Sequence, residues 1–307
     1  MAILDFNVTD KWMLVLPVFH AFGFTASLLT IYNGMKTVIF PSPLQYKVIP
    51  EVIYDRGCTV FIATSTFLAN YAKYAHPYDF YKLRVVIAGA EKLNEEVRKT
   101  YQEKFGIRIL EGYGATECAP VLSANTAMAN KNGSVGQFVP GLEHRLETVT
   151  GIESGGLLHV RGENVMMGYY LFDNPGVLHP PSEGWYSTGD IVELDAQGYI
   201  HIKGRVKRFA KVAGEMVSLE VVEHIANTAA PEHQHAASTQ EDAGRGENII
   251  LFTTDPELKR EDLQMVAKNT GSPEIAIARK IVRVEEIPVL GTGKTDYVTL
   301  KQMAETA

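Results

Sequence analysis

The 307-residue chain has only two cysteines, no excess of positive charge and no uninterrupted apolar run long enough to cross a membrane. Cys58 and Cys118 form no Cys-x-x-Cys pair, so neither a disulfide framework nor a zinc site is indicated, and reduced cytoplasmic thiols are expected. The formal net charge of −7 argues against nucleic acid as a partner, because non-specific phosphate binders carry a basic surplus. The most apolar region, residues 14–40, contains a histidine, a lysine and two glycines in mid-run, which favours a buried helix followed by a strand.

The first 128 residues alternate between short apolar segments and amphipathic ones. Strands are predicted at residues 36–41, 58–63, 83–88 and 108–111, with helices at 48–56, 66–76 and 94–105 between them. Because the apolar segments are unbroken, they predict the strands of a parallel sheet that is covered on both faces. The last of these helices is expected to carry its lysines and arginine on its outer face.

Two regions of different amino-acid composition follow the first 128 residues. Residues 129–204 are rich in glycine and in short strand patterns, which predicts an antiparallel or barrel-like region. The fold expected for residues 1–204 is therefore a large α/β domain, with a parallel sheet and a small β-barrel. A basic segment at 205–211 is predicted to be a hinge, and residues 212–307 a small α+β domain with a polar loop at 231–247.

The segment EGYGATECAP follows a predicted strand at the carboxyl edge of the sheet, where ligands usually bind. Gly112 and Gly114 allow the backbone to approach a ligand closely, and Tyr113 offers a ring that can stack on a base. Thr116 offers a hydroxyl to a phosphate, and Glu117 offers a hard carboxylate oxygen suited to Mg²⁺. The alternative is a glycine-rich turn that only ends a strand.

Two other segments are ambiguous on their own. Asp190, in WYSTGD, is able to accept two hydrogen bonds of the kind a ribose diol supplies, but residues 188–190 also fit an ordinary hairpin turn. The five cations within residues 203–211 suit either a solvated face or a hinge. Gly214, just beyond them, allows a narrow group to pass close to the backbone.

The segments PVLGTGKT and PVFHAFG each present one polar residue of interest. Lys294 lies in a sequence similar to a phosphate-binding P-loop, but Pro288 replaces the first glycine and only twelve residues follow Thr295, so we reject a P-loop. His20 stands between two phenylalanines, where it is either a packed core residue or one wall of an apolar substrate pocket.

Taken in order, PVFHAFG, AGAEKL, EGYGATE, WYSTGD, GYIHIKGRVKR and PVLGTGK resemble the adenylate-forming superfamily of acyl-CoA synthetases, luciferases and peptide-synthetase adenylation domains. The resemblance covers nearly the whole chain and is closest to acyl-ACP synthetases, where ACP is acyl carrier protein. It implies that ATP and Mg²⁺ activate a fatty acid to acyl-AMP. The acyl group then passes to the phosphopantetheine thiol of ACP, or to CoA.

The resemblance also implies roles for individual residues. The residues expected at the nucleotide are Gly89, Ala90, Glu91, Gly112, Tyr113, Gly114, Asp190 and Arg205. Among them, Tyr113 stacks on adenine and Asp190 binds the ribose hydroxyls, helped by Arg205. Thr116 contacts the α-phosphate and Glu117 holds Mg²⁺.

Four more residues complete this expectation. Lys294 reaches the carboxylate and the α-phosphate during adenylation, and His20 shapes the acyl pocket. Arg208 occupies the hinge position, and Gly214 lines the path of the thiol. Rotation at the hinge would withdraw Lys294 and present the Gly214 face for thiolysis. The basic run would steer an acidic ACP.

One part of the family pattern is not found in this sequence. The Ser/Thr/Gly-rich loop that wraps the β- and γ-phosphates is expected ahead of PVFHAFG, and no segment replaces it. We therefore expect a truncated product, a fragment, or a partner of another polypeptide, with apolar surface left exposed. Peripheral membrane contact stays open, although no lipid-anchor signal is present.

Three functions are compared on these grounds. The first is acyl transfer to ACP or CoA, as above. The second is a non-catalytic module that binds AMP or a carrier protein. The third is activation of an aryl, amino or short acid. Activation of an amino acid usually needs an aspartate within the PVFHAFG region, which is apolar or aromatic here.

Overall fold

The structure is a computed structural model that describes residues 4–152, 154–242, 246–290 and 295–306. Lys294 and its glycine-rich loop lie outside the described residues. The strands of the first part are β1 (Lys11–Leu14), β2 (Lys36–Ile39), β3 (Val60–Ala63), β4 (Val85–Ala88), β5 (Ile109–Gly114), β6 (Val121–Ala124) and β7 (Gln137–Phe138). The helices are α1 (Ala21–Tyr32), α2 (Val48–Arg56), α3 (Ser65–Tyr74) and α4 (Glu95–Phe105).

These strands form one sheet in the order β2-β1-β3-β4-β5-β6-β7. The first five are mutually parallel, and β6 and β7 add antiparallel strands at the far edge. Every residue of β3 and β4 is buried, as the unbroken apolar segments predicted for a sheet covered on both faces. Burial raises the pKa of the Cys58 thiol to about 11 and that of Cys118 to about 12, so both stay protonated at neutral pH.

Helix α1 is not the buried helix that the sequence predicted. Its buried residues are small or polar, namely Gly23, Ala26 and Thr30. By contrast, Ile31 is 74% and Tyr32 is 90% exposed. Apolar composition alone cannot distinguish a core helix from one whose apolar face lies in solvent.

The middle of the chain is β-rich, as predicted. Its strands are β8 (Glu143–Glu147), β9 (Gly156–Arg161), β10 (Tyr169–Tyr170), β11 (Leu178–His179), β12 (Tyr186–Leu194) and β13 (Ile200–Arg205). The strands form a four-stranded sheet, β13-β12-β9-β8, and a two-stranded ribbon, β10-β11. Residues 188–190 lie inside β12, so the alternative interpretation as a hairpin turn is wrong. Gly189 takes a φ of +75° there, which only glycine adopts readily.

The last part of the chain contains β14 (Phe209–Val212), β15 (Glu215–Ser218), α5 (Leu219–Ala229), β16 (His235–Asp242), β17 (Gly246–Thr253), α6 (Arg260–Thr270), β18 (Lys280–Arg283) and α7 (Tyr297–Thr306). The sheet order is β15-β14-β17-β16, with β18 parallel to β17. The predicted polar loop at 231–247 is wrong, because β16 occupies its middle and β17 begins at Gly246. That strand pairs with β17 from His235↔Thr253 to Asp242↔Gly246. Small and polar side chains conceal the strand in the sequence.

Contacts divide the chain into two compact units. The first comprises the residues up to Arg145 with His159–Thr188 and Leu194–Ile202, and the second comprises Leu146–Leu158, Gly189–Glu193 and the residues from Lys203 onward. Within the described residues, no helix is both long and apolar enough to span a bilayer.

Candidate active site

Strand β5 ends in the EGYGATE turn, whose shape depends on glycine. A Cβ atom placed on Gly114 would lie 2.1 Å from the carbonyl oxygen of Pro120, a distance that no side chain tolerates. Gly112 is less constrained, since its Cβ would lie 3.4 Å from the Ser123 carbonyl oxygen. Tyr113, between them, is 9% exposed. The turn continues into a short 3-10 helix at Thr116–Cys118, in which Thr116 is exposed and Glu117 is half-buried.

The turn after β4 lies against β5 and α1. A Cβ on Gly89 would lie 3.2 Å from the Phe22 ring and 3.6 Å from the Gly112 carbonyl oxygen, so the AGAEKL, PVFHAFG and EGYGATE segments meet here. Ala90 follows with a φ of +69°, a conformation that costs a non-glycine residue energy and is found most often at functional sites. The Glu91 carboxylate accepts a hydrogen bond from the Thr66 amide at 2.5 Å, at the start of α3.

His20 is the N-cap of α1. Its Nδ1 atom accepts a hydrogen bond from the Phe22 amide at 3.2 Å, and the side chain is half-buried. Neither of the two interpretations from the sequence included this cap. One turn later, the Thr25 hydroxyl donates to the carbonyl oxygen of Ala119 at 3.5 Å. Helix α1 therefore contacts both the turn after β4 and the turn after β5.

Hydrogen bonds link the Glu117 carboxylate to Tyr169 and, through it, to Tyr186. The Tyr169 hydroxyl donates to Oε1 of Glu117 at 2.6 Å. Tyr186, from the WYSTGD segment, donates its hydroxyl proton to Tyr169. Burial raises the pKa of Tyr169, and the hydrogen bond to Glu117 adds to that rise. Burial followed by the bond to Tyr169 raises the pKa of Tyr186, so both hydroxyls remain proton donors at neutral pH.

A buried ion pair supports β5 from behind. The Arg98 guanidinium donates to Glu111 at 2.5 Å, and the two side chains are 7% and 8% exposed. The expectation that the arginine of α4 faces outward is therefore wrong. A single arginine among lysines on an amphipathic helix gives no sequence signal that it turns inward toward a carboxylate.

In the second unit, the Asp190 carboxylate is buried and receives the Nε–H of Arg205 at 3.0 Å, while the Arg205 side chain is 68% exposed. Arg208 is fixed more firmly than a solvated hinge residue. Its guanidinium pairs with Glu223 at 2.7 Å, donates to the Ala237 carbonyl oxygen at 2.7 Å and stacks 3.7 Å from the Tyr297 ring.

The basic run is not one uniform cationic surface. Lys203 pairs with Glu193 at 2.6 Å, and Arg205 and Arg208 have the partners just given. Lys207 and Lys211 are exposed and form no ion pair among the described residues.

Gly214 and Ala213 form the two-residue turn between β14 and β15. Both have positive φ values, +92° for Gly214 and +51° for Ala213, as a tight hairpin requires. A Cβ on Gly214 would meet no atom within 4 Å, so its backbone conformation, rather than crowding, favours glycine here.

Glu117 fits the chemistry of a magnesium ligand. Among the residues that the structure describes, no group of three or more His, Cys, Asp or Glu side chains could enclose a metal ion. Mg²⁺ bound to nucleotides commonly uses only one or two protein carboxylates, with phosphates and waters completing the shell. A single half-buried carboxylate with hydroxyl donors beside it meets that requirement.

Comparison with known proteins identifies the family of the chain. The family model described as AMP-binding enzyme matches residues 2–170. The chain is 29% identical over 266 residues to a long-chain-fatty-acid–CoA ligase from Yersinia pestis, which covers 83% of this chain and 47% of the relative. It is 27% identical over 309 residues to a 4-coumarate–CoA ligase from Pinus taeda, covering 95% of this chain and 57% of the relative.

Solved structures share the fold. ATP-bound MatB from Rhodopseudomonas palustris aligns with a TM-score of 0.84 at 22% identity, over 98% of this chain and 61% of MatB. o-Succinylbenzoate CoA synthetase from Bacillus subtilis, in complex with its acyl-adenylate intermediate, aligns with a TM-score of 0.84 at 22% identity. The alignment covers 97% of this chain and 62% of that synthetase. The chain spans about half the length of the curated relatives it matches. Because the family model matches more than half of the sequence, the chain belongs to the AMP-binding enzyme family.

Proposed function

We propose that this chain carries the adenylate-binding part of an AMP-forming acid–thiol ligase that activates a fatty acid. The observation that carries the proposal is the meeting of four sequence segments in the first unit. Gly89 lies against Phe22 and the Gly112 carbonyl oxygen, and Tyr186 donates to the Tyr169 hydroxyl, which in turn donates to Glu117. Four segments distant in sequence that meet at the carboxyl edge of a parallel sheet are typical of a ligand site.

We assign the nucleotide-binding residues the roles that the resemblance implies, and this arrangement supports those of the first unit. The turn Gly89–Glu91 and the ring of Tyr113 take the adenine, because glycine at 89 and 112 allows a flat base to approach the backbone. Thr116, exposed at the start of the 3-10 helix, contacts the α-phosphate. In the second unit, Asp190 accepts hydrogen bonds from the ribose hydroxyls, and Arg205 holds its carboxylate.

Catalysis of adenylation requires that a carboxylate and a nucleotide phosphate, both negative, approach each other. Bound Mg²⁺ would supply positive charge at the phosphates, with Glu117 as its protein ligand. Lys294 supplies a second positive charge to the substrate carboxylate and the α-phosphate. His20, fixed as the cap of α1, orients the first turn of that helix beside the acyl group.

The thiol acceptor is the finer part of the proposal. The long-chain-fatty-acid–CoA ligases among the relatives favour CoA. The resemblance to the acyl-ACP synthetase half of a bifunctional 2-acylglycerophosphoethanolamine acyltransferase favours ACP. Lys207 and Lys211, exposed and without an ion pair among the described residues, suit an acidic carrier protein. We propose ACP as the acceptor, Arg208 at the hinge and Gly214 on the path of the thiol.

Release of pyrophosphate from ATP, with Mg²⁺ and a long-chain acid, tests the proposal. We expect acid-dependent release, and we expect Lys294→Ala to abolish acyl-AMP formation while sparing transfer from supplied acyl-AMP to the thiol. Equal loss of both steps would contradict the role of Lys294. AMP binding without pyrophosphate release at any protein concentration would instead support a binding module.

A further inference from the structure

We propose that Tyr169 and Tyr186 are positioning residues that hold the Glu117 carboxylate in the orientation needed to bind a divalent cation. The inference rests on the proposed function, in which Glu117 is the magnesium ligand. The sequence alone gives neither tyrosine a role, because each stands beside another aromatic residue, Tyr170 or Trp185.

Two hydrogen bonds hold Glu117, one to its side chain and one to its backbone. The Tyr169 hydroxyl donates to Oε1 at 2.6 Å, and the backbone carbonyl oxygen of Glu117 accepts from the Met166 amide at 2.7 Å. The segment that leads into β10 therefore holds both the main chain and the side chain of the same residue. Tyr186, from β12, donates to the Tyr169 hydroxyl and so links a third segment to the first two.

The hydrogen bond from Tyr169 fixes the direction of the carboxylate. The Tyr186 hydroxyl has a single proton and donates it to Tyr169, so Tyr186 orients the Tyr169 hydroxyl. Because the carboxylate cannot rotate without breaking the bond from Tyr169, its acceptor positions, about four in an ionised carboxyl group, keep a defined direction. Partners that orient a metal ligand in this way contribute strongly to cation affinity in other proteins, typically ten- to a hundredfold.

A purely structural role for Tyr169 is a weaker explanation. The residue is 45% exposed, and β10 is only two residues long in a two-stranded ribbon. One hydrogen bond from a side chain this exposed contributes on the order of 1 kcal/mol to folding. Replacing Tyr169 by phenylalanine should therefore leave the protein folded.

The experiment compares Tyr169→Phe and Tyr186→Phe with the unchanged protein and with Tyr170→Phe as a matched control. Tyr170 is the neighbouring residue of the ribbon, is 69% exposed and pairs with Leu178 rather than with Glu117. The affinity for ATP is measured by calorimetry across a series of Mg²⁺ concentrations and also in EDTA. The thermal unfolding midpoint of each variant serves as a check on folding.

We expect Tyr169→Phe to raise the Mg²⁺ concentration at half-saturation about tenfold. We expect Tyr186→Phe to raise the Mg²⁺ concentration at half-saturation as well. ATP affinity in EDTA should not change, and Tyr170→Phe should match the unchanged protein throughout. A loss that is equal with and without Mg²⁺, or no loss at all, would overturn the inference. A lower Mg²⁺ concentration at half-saturation in Tyr169→Phe would mean that the tyrosine obstructs the cation, and that result would also overturn the inference.

Glu117→Gln separates failure of the inference from failure of the proposed function. If the unchanged protein shows Mg²⁺-dependent ATP binding and Glu117→Gln loses it, the role of Glu117 stands, and an unaffected Tyr169→Phe refutes only the positioning role. If the unchanged protein shows no Mg²⁺ dependence, the assignment of Glu117 as a metal ligand fails, and the inference fails with it.

Discussion

At the scale of single residues, the EGYGATE turn requires glycine at position 114 far more than at position 112. Gly114→Ala would place a methyl group 2.1 Å from the Pro120 carbonyl oxygen, whereas Gly112→Ala would place one 3.4 Å from that of Ser123. We expect Gly114→Ala to lower the free energy of unfolding by about 3 kcal/mol and Gly112→Ala by less than about 1 kcal/mol.

Urea denaturation of the two alanine variants measures this difference. Both substitutions remove a glycine from the same turn, so any general gain in backbone rigidity is shared and cancels in the comparison. Equal stability of the two variants would show that the close approach of residues 114 and 120 is not maintained in solution.

Sequence patterns select some single residues and overlook others. Gly89, Gly114 and Glu117 are selected because they stand in recognisable segments at the ends of predicted strands, and their roles at a nucleotide stay predictions. Arg98 and Tyr169 were missed, since their importance depends on a partner 13 or 52 positions away in the chain. Composition and periodicity contain no information about such pairs.

At the scale of elements, a buried carboxylate ties the starts of three parallel strands together. Asp10, 2% exposed and just before β1, accepts hydrogen bonds from Arg84 before β4 and from Thr59 before β3. Burial alone would raise the pKa of Asp10, but the bonds from Arg84, the Asn7 amide and Thr59 outweigh it and hold that pKa below its usual value. The ionised carboxylate therefore stabilises the folded state.

This stabilisation should depend on pH. It is fully present above the unfolded-state pKa of roughly 3.9 and is lost as the pH falls through the lower folded-state value. We expect Asp10→Asn to be less stable than the unchanged protein at pH 7 and to lose less stability between about pH 4 and pH 2. Chemical denaturation at several pH values, with Asp55→Asn on the exposed side of α2 as the control, measures this. Parallel curves for Asp10→Asn and the unchanged protein would contradict it.

Elements with strong periodicity were predicted well, and those without it were not. The bounds predicted for helix α2 are the observed ones. Strands β3 and β4 are predicted as buried parallel strands, because unbroken apolar segments alternate with amphipathic helices along the chain. Strand β16 was missed because Ala236, Ala237, Ser238 and Thr239 are small or polar, although all four are buried. Its place in the sheet is set by pairing with β17, which is a tertiary effect.

At the scale of the whole molecule, the net charge of −7 conceals local positive charge. Three of the five cations in residues 203–211 pair with carboxylates, and Lys207 and Lys211 are the two that we propose attract an acidic carrier protein. We expect the double variant Lys207→Glu, Lys211→Glu to slow transfer from supplied acyl-AMP to ACP about tenfold at low salt. The reaction with CoA should be less affected.

Lys268→Glu provides the control, since it changes charge on the exposed side of α6 in the same unit. The difference between the double variant and this control should shrink as ionic strength rises, because exposed charges are screened beyond about 10 Å at 0.1 M salt. Unchanged transfer kinetics in the double variant would remove the electrostatic argument for ACP as the acceptor.

The central claim is that the segments meeting at the carboxyl edge of the sheet form one adenylate site. A crystal structure of the chain with bound acyl-AMP tests it most directly. The account predicts adenine beside Gly89–Glu91 and the Tyr113 ring, with the phosphate next to Thr116 and Glu117. An adenylate bound elsewhere, with no contact to the turns after β4 and β5, would contradict the account.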